Sequence, residues 1–257
     1  MKICVLTKQV PSADSPLKLN GEGNWIVEEN VSFAINESDT YALEEALLIK
    51  EQTGDGEVVV ASLGPQRAQR GIREGLAKGA DRGIHIEELL PYTSDPFLTT
   101  TIFANALRDE SFDLILTGLQ SDDLGLGQVG VLLGEMLGMS TATLVIGTEI
   151  SETTARVKRE LEGGWFQWTT LKMPASISIQ SGINTPRYPS LKGIMGAKKK
   201  EIRSVTREEV TGGVEILQTL EKIYVPQKVK RTEMIEGETD QVVAKLIDVF
   251  KRDIKVL

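Results

Sequence analysis

The chain has 257 residues, of which 40% are hydrophobic and 26% charged, and its formal net charge is −8 at pH 7. A negative balance of this size argues against nucleic acid as the main partner, because phosphate backbones attract cationic surfaces. With one cysteine, Cys4, and one histidine, His85, an intrachain disulfide is impossible and a typical zinc site is excluded.

The apolar residues are distributed in short runs. None of these runs approaches the ~20 residues that a membrane-spanning helix needs. Residues 1–6 already have the pattern of a strand, which leaves no room for a signal or transit peptide. We therefore expect a protein of the prokaryotic cytoplasm that does not insert into membranes.

Strand and helix patterns alternate along the first half of the chain. Residues 2–6 predict a buried strand, and the polar stretch 11–35 contains an alternation that predicts a hairpin. Further strands are expected at 57–62 and 82–86, with helices between the strands and another helix at 95–109. Strands that alternate with helices of this length indicate βαβ units, and therefore an α/β fold whose parallel sheet carries helices on both faces.

An amphipathic helix is predicted between the first two strands. Ser38 is expected at its N-cap, and Gly54 lies where such a helix would end. Alanine, leucine and isoleucine side chains form one apolar stripe, whereas Glu44, Glu45 and Glu51 are assigned to the side that faces water.

The most informative stretch runs from Asp113 to Gly138. Residues 114–118 predict a buried parallel strand, and helical spacing of apolar residues precedes Gly138. Between them lie three glycines within six residues: Gly125, Gly127 and Gly130. A strand, a glycine-rich turn and a helix start form a phosphate-binding geometry, because the backbone is accessible and the first helical N–H groups attract an anion. The alternative is a tight turn that serves packing alone, since loose glycine patterns are common.

After Gly138 the pattern changes. Residues 142–146 predict one more strand of the sheet, and antiparallel strands are expected at 155–161, 165–171 and 175–179. Trp165 and Trp168 should point to opposite faces, one of them toward the core.

The last quarter of the chain has weaker signals. Residues 182–200 show no regular element, and a weak helix near 206–222 precedes a clearer one at 239–251. Because the polar stretch 224–238 offers little to bury, the C-terminal residues are interpreted as an arm that needs a partner surface.

Three groups of polar residues have simple structural interpretations. His85 lies on a short apolar strand, where a structural side chain is the expected role. Asp122 and Asp123 form an acidic pair for which turn and cap chemistry is favoured over metal binding, so no metal site is assigned. The lysine run 198–200 predicts a solvated face, with steering of an acidic partner as the alternative.

Six separated segments resemble, in order and spacing, the β subunit of electron-transfer flavoproteins. They are NESD at 36–39, SLGP at 62–65, GADRG at 79–83, RELEGG at 159–164, NTPRYPSL at 184–191 and AKKK at 197–200. The resemblance covers nearly the whole chain. It implies a Rossmann-like α/β domain, similar to adenine-nucleotide hydrolases, with added antiparallel strands and an extended C-terminal arm.

The resemblance implies an electron carrier without catalytic residues of its own. In that family the β subunit forms a heterodimer with an α subunit that carries FAD, and the dimer accepts electrons from dehydrogenases. Most β subunits hold AMP as a structural ligand. The implied domains are a nucleotide-binding domain at 1–223, with a recognition loop at 182–200, and an arm at 224–257 that contacts the α subunit.

The residues that the resemblance assigns to AMP lie at strand ends and at the glycine-rich helix start. Among them, the N–H groups of Gln128, Val129 and Gly130 are assigned to the phosphate. The full set is Leu6, Asn36, Glu37, Ser38, Asp39, Leu63, Asp123, Leu124, Gly125, Leu126, Gly127, Gln128, Val129, Gly130, Val131, Leu132, Leu133 and Gly134.

A second FAD in place of AMP is the alternative within the family. Electron-bifurcating relatives have a segment similar to DGDTAQVGP, where this chain has DLGLGQVGV at 123–131. The chain shares the QVG triplet but lacks DGDT and the final proline. Residues 183–188 resemble the non-bifurcating branch, so AMP is favoured.

The recognition loop is the second functional stretch that the resemblance implies. Leu191 matches a leucine that enters a pocket on a flavin-dependent dehydrogenase, and Arg187 and Tyr188 are assigned to the same contact. From the residues alone, packing of Leu191 onto its own domain is the favoured interpretation.

Two functions from other classes stay open at the level of sequence. An ATP-using adenylating enzyme would need the SGGxDS loop of pyrophosphatase-type folds, which is absent after the first strand. A nucleotide-sensing module would be stable alone, without a partner for residues 224–257.

Overall fold

The structure is a computed structural model that describes residues 1–88, 95–211, 216–227 and 232–256. The chain divides into two compact units, Met1–Lys222 and Ile223–Leu257. Each unit is described by itself.

The described part of the first unit is a succession of short strands and helices. Its strands are β1 (Lys2–Leu6), β2 (Gln9–Pro11), β3 (Phe33–Ile35), β4 (Glu57–Gly64), β5 (Arg82–Glu87), β6 (Leu114–Gly118), β7 (Ser140–Ile150), β8 (Thr154–Glu160), β9 (Phe166–Lys172), β10 (Ala175–Ile179) and β11 (Ile202–Thr206). Its helices are α1 (Glu37–Thr53), α2 (Gln69–Lys78), α3 (Pro96–Leu107), α4 (Val129–Met136), α5 (Leu191–Ala197) and α6 (Arg207–Val210). Short 3₁₀ turns span Gln66–Ala68, Arg108–Glu110 and Glu162–Gly164.

Nine strands form one sheet in the order β11-β5-β4-β1-β6-β10-β7-β8-β9. Every pairing from β11 to β7 is parallel, and β8 and β9 extend the sheet in antiparallel fashion. Alternate residues of β1 supply the two faces: Ile3 and Val5 join the core under α1 and α2, whereas Cys4 and Leu6 join the core under α3. The predicted α/β fold, a parallel sheet covered by helices on both faces, is confirmed.

The predicted hairpin in residues 11–35 is also present. Leu19 and Ile26 form an isolated antiparallel bridge, and β2 pairs with β3 in a separate two-stranded sheet. These pairings place the polar stretch beside the ends of the central strands.

β10 departs from the sequence interpretation, which assigned it to an antiparallel set. It is parallel to both of its neighbours, β6 and β7, and all of its residues are buried. Its serines satisfy their hydroxyls internally: Ser176 Oγ donates to the carbonyl of Gly130 at 2.8 Å, and Thr117 Oγ1 lies 3.1 Å from Ser178 Oγ. The alternation of serine and isoleucine therefore does not mark a half-exposed strand.

The region after β10 contains more regular structure than the sequence indicated. Helix α5 lies in the stretch 182–200, for which no element was predicted, and Ser190 Oγ accepts from the Gly193 N–H at its start. β11 follows as an unpredicted edge strand beside β5. The weak helix expected near 206–222 is limited to α6 among the described residues, while 212–215 lie outside them.

The tryptophan prediction was wrong. Trp165 is 74% exposed and Trp168 is 44% exposed, so neither side chain enters the core. β9 is the last strand of the sheet, and the guanidinium of Arg156 stacks 4.2 Å from the ring of Trp168. An edge strand exposes both of its faces, which pattern alone did not reveal.

Two assignments in α1 were also wrong. The helix begins at Glu37 after Asn36, so Ser38 lies inside the first turn and does not cap it. Glu44 and Glu45 are buried, not water-facing.

The second unit contains α7 (Thr239–Val249) and a π-helical turn, Phe250–Ile254. The helix lies in the stretch 239–251 where one was expected. Within the described residues, no helix combines the length and the apolar character needed to cross a membrane.

Candidate functional site

A cavity of about 190 Å³ lies at the carboxyl ends of β1, β4 and β6. The chain leaves β1 toward α1 on one face of the sheet and leaves β6 toward α4 on the other. Such a reversal between adjacent parallel strands opens a crevice at their carboxyl ends, where folds of this class bind ligands.

Eleven of the eighteen residues assigned to nucleotide binding line this cavity: Leu6, Asn36, Asp39, Leu63, Asp123, Leu124, Leu126, Gly127, Gln128, Val129 and Gly130. The cavity thus brings together the ends of β1 and β4 and the starts of α1 and α4. Seven assigned residues do not line it: Glu37, Ser38, Gly125, Val131, Leu132, Leu133 and Gly134.

The residues outside the lining have other positions. Leu133 is fully buried in the core under α3 and α4, and Gly134 is packed so closely that an added Cβ would lie 2.3 Å from the Thr141 side chain. Glu37 and Val131 are exposed.

The glycine-rich loop depends on glycine at each of its three positions. Gly125 and Gly127 have φ values of +63° and +64°, a region that other residues rarely adopt. A Cβ at Gly130 would lie 2.5 Å from Ser178 Oγ and 2.6 Å from Thr117 Oγ1. α4 therefore approaches the sheet closely, and its first N–H groups have no acceptor within the helix. This arrangement fits an anionic group at the cavity wall.

Asn36 connects the start of α1 to the loop that follows β6. Its side-chain Nδ2 donates to the Gln120 carbonyl at 2.9 Å, and its Oδ1 accepts from the Asp122 N–H at 2.9 Å. The Ser38 hydroxyl also donates to the Gln120 carbonyl, at 2.8 Å. The 36–39 segment thus shapes the cavity through the 120–122 backbone.

Asp39 lies at the junction of three elements. Its carboxyl oxygens accept from the backbone N–H of Lys8 at 2.7 Å and from that of Gly118 at 3.0 Å. Burial raises the pKa of Asp39 to about 7, although these hydrogen bonds act in the opposite direction. One buried carboxyl therefore holds the ends of β1 and β6 against α1.

Several lining residues were missed by the sequence interpretation. Lys8 Nζ lies 2.7 Å from Asp123 Oδ1 and 3.3 Å from Ser121 Oγ, which places a cation beside the glycine-rich loop. The Arg67 guanidinium stacks 3.8 Å from the ring of Phe33, and both residues line the cavity. Lys8 could have been found because it lies two residues after the end of β1.

We expect Asp39 to make the folded protein less stable as pH rises. With a raised pKa, the folded state holds a proton up to about pH 7 that the unfolded chain releases near 3.8. The associated stability is complete below the lower value and is lost as pH rises through the upper one. Urea unfolding is measured from about pH 5 to about pH 8. Relative to Asp39→Asn, the free energy of unfolding of the wild type should fall by up to ~1.4 kcal/mol per pH unit. A stability difference independent of pH would contradict this.

The residues assigned to partner binding have two different environments. Leu191 is 83% exposed and Tyr188 is 94% exposed. Arg187, by contrast, forms ion pairs with Glu44 and Glu51 of α1. Only the first two therefore present free side chains to solvent.

Other polar residues have structural environments. His85 is buried, with Nε2 3.0 Å from the Gly64 carbonyl and Nδ1 3.2 Å from Gln69 Nε2. Lys200 Nζ donates to the carbonyls of Leu76 and Ala80, so this lysine of the 198–200 run is not simply solvated. Among the described residues, no three His, Cys, Asp or Glu side chains are grouped to hold a metal.

Comparison with known proteins identifies the family. The model of the electron transfer flavoprotein domain matches residues 24–210. The electron transfer flavoprotein subunit beta of Methylophilus methylotrophus is 33% identical over 97% of this chain and 98% of its own length. The subunit of the same name from Bradyrhizobium diazoefficiens is 38% identical over 86% of this chain and 89% of its own length. The subunit from Homo sapiens is 31% identical over 97% of this chain and 98% of its own length. The chain therefore belongs to the electron transfer flavoprotein family, as a β subunit.

Proposed function

We propose that this β subunit forms a heterodimer with an α subunit that carries FAD, and that it binds AMP in the cavity between β1 and β6. The observation that carries the proposal is the glycine-lined start of α4, which opens on that cavity. A mononucleotide phosphate suits this position because it can accept hydrogen bonds from the first N–H groups of the helix.

In this proposal the adenine and ribose lie over the carboxyl ends of β1 and β4. Leu6 and Leu63 supply apolar surface there, while Asn36 and Asp39 supply buried polar groups. Lys8 adds a positive charge near the phosphate through its position beside Asp123. The ligand's role is structural: it fills the crevice at the ends of β1 and β6, where the chain leaves two adjacent strands toward opposite faces of the sheet.

The β subunit takes part in electron transfer by helping to shape the flavin site and by docking the dehydrogenase, without catalytic residues of its own. FAD on the α subunit supplies the redox chemistry. The exposed Leu191 and Tyr188 are proposed to contact a flavin-dependent dehydrogenase through the recognition loop, and residues 224–257 to contact the α subunit. The proposed compartment is the cytoplasm.

A second FAD in place of AMP is the alternative, and one feature of the cavity favours it. The lining continues past the glycine-rich loop to Pro11, Trp25 and Phe33, an aromatic region that a mononucleotide does not require. Such a surface could receive a second flavin ring.

Release of ligands from the purified heterodimer distinguishes these two assignments. After acid precipitation, chromatography should detect one FAD and one AMP for each dimer. Two FAD molecules and no AMP would establish the alternative. A dimer that contains flavin but no adenine mononucleotide, and binds none when AMP is added, would overturn the proposed ligand. Steady release of pyrophosphate from ATP would instead indicate an adenylating enzyme.

A further inference from the structure

The recognition loop, residues 182–200, presents an apolar surface on one short helix. Leu191 and Met195 lie four residues apart in α5 and are 83% and 72% exposed, with Tyr188 just before the helix. Residues four apart share a helix face, so Leu191 and Met195 form one continuous patch. A patch of this kind binds a partner more tightly when its orientation is set before contact, because less conformational entropy is then lost on binding.

Arg187 attaches the loop to helix α1. Its backbone N–H donates to Glu44 Oε2 at 3.0 Å, and its Nη2 donates to Glu44 Oε1 at 2.9 Å. Its Nε lies 3.1 Å and 3.0 Å from the two oxygens of the same carboxylate, and Nη1 pairs with Glu51 Oε1 at 2.5 Å. We call these contacts the Arg187 anchor. Two nitrogens of the guanidinium bind the two oxygens of the Glu44 carboxylate, a charge-assisted bidentate arrangement, and the Glu44 side chain is only 6% exposed.

A second attachment lies three residues earlier. Asn184 Nδ2 donates to the Tyr41 carbonyl at 3.1 Å and to Glu45 Oε2 at 2.9 Å. Glu44 and Glu45, consecutive buried acids of α1, thus each bind a different residue of the loop.

The other end of the loop is attached to helix α2. Arg73 Nη1 donates to the carbonyls of Ala197 and Lys200 at 2.6 Å and 2.7 Å. α5 also lies directly against α2, since a Cβ at Gly193 would be 2.1 Å from the Ala77 carbonyl oxygen. The recognition loop is therefore attached to α1 before the exposed patch and to α2 after it.

We propose that Glu44 and Arg187 are positioning residues for docking: the Arg187 anchor orients the patch of Leu191 and Met195 without itself touching the partner. The inference rests on the proposed docking role of the recognition loop. The Nε, Nη1 and Nη2 groups of Arg187 already donate to carboxylates of its own subunit. This reassigns Arg187 from partner contact to internal support.

The test compares Glu44→Gln, Arg187→Gln and Arg187→Lys in the intact heterodimer. The probe is a flavin-dependent dehydrogenase chosen because it reduces the wild-type heterodimer. Glu57→Gln is the matched control, because it removes another arginine–glutamate pair, which joins the first residues of β4 and β5 and involves no residue of the recognition loop. Each variant is also assayed for flavin and nucleotide content and for amide hydrogen exchange.

We expect Glu44→Gln and Arg187→Gln each to slow reduction by about tenfold, with faster exchange confined to residues 184–197. Arg187→Lys should recover part of the rate, because lysine keeps the charge but not the planar fork. A double variant that combines Glu44→Gln or Arg187→Gln with Leu191→Ala should be reduced little more slowly than Leu191→Ala alone, since both changes remove the same docking contact.

Direct contact predicts a different result. If Arg187 itself binds the partner, Glu44→Gln frees it and reduction is unchanged or faster, which would overturn the inference. Normal exchange in residues 184–197 of the Arg187→Gln heterodimer would overturn it as well. The proposed docking role fails separately, if Leu191→Ala alone leaves the rate unchanged.

Discussion

The Gly130→Ala heterodimer is expected to bind its nucleotide more weakly and to unfold more easily. The added methyl group would lie 2.5 Å from Ser178 Oγ and 2.6 Å from Thr117 Oγ1, both on buried central strands. α4 must then move away from the sheet, which costs about 1–3 kcal/mol of stability. Because its first turn would shift with it, we expect AMP affinity to fall by at least about tenfold. Calorimetric titration of AMP and thermal unfolding measure the two effects.

Gly21→Ala is the matched control for this substitution. Nothing lies within 4 Å of a Cβ built at Gly21. It should therefore retain wild-type nucleotide content and melting temperature. If the Gly130→Ala protein also kept its nucleotide content and melting temperature, α4 would not lie as close to the sheet as described, and the proposed phosphate position would be wrong.

The Leu191→Ala heterodimer should be reduced about 30-fold more slowly by its dehydrogenase while keeping its flavin and nucleotide. An anchor residue that fills a partner pocket contributes ~2 kcal/mol or more when truncated. Because Leu191 is 83% exposed, its removal should not disturb the subunit's own packing. Stopped-flow reduction at several dehydrogenase concentrations separates weaker docking from slower transfer.

Leu17→Ala provides the comparison, since Leu17 is another exposed leucine, outside the recognition loop. We expect its reduction kinetics to match wild type. Equal rates for the two alanine variants would remove Leu191 from the docking surface.

Much of the architecture was predictable because local pattern and tertiary context agree there. The run 114–118 is a parallel strand, and Gly54 ends α1 in the left-handed conformation. The three glycines 125, 127 and 130 were singled out by spacing, and the structure supplies a physical reason for each of them. Backbone requirements of this kind are visible in sequence, because only glycine meets them.

Two of the errors, those on β10 and on the acids of α1, arose where polar residues are buried in pairs. Ser176 and Ser178 gave β10 an alternating pattern, yet both are buried with hydrogen-bond partners on other elements. Glu44 and Glu45 were likewise assigned to the side facing water because they are charged, although both are buried. A charged residue is normally exposed unless it is paired, and the partners Arg187 and Asn184 lie about 140 positions away in the chain.

The alternation of strands and helices, the glycine-rich turn and the family could be predicted from the order of residues alone, since each depends on residues that are close together or in a fixed order. Three features became visible only once the chain was folded: β10 lies between β6 and β7, Asp39 joins β1 to β6, and Arg187 pairs with Glu44 of α1. Those features depend on which distant polar groups meet when the chain packs, and burial selects such pairs because an unpaired buried polar group is too unfavourable.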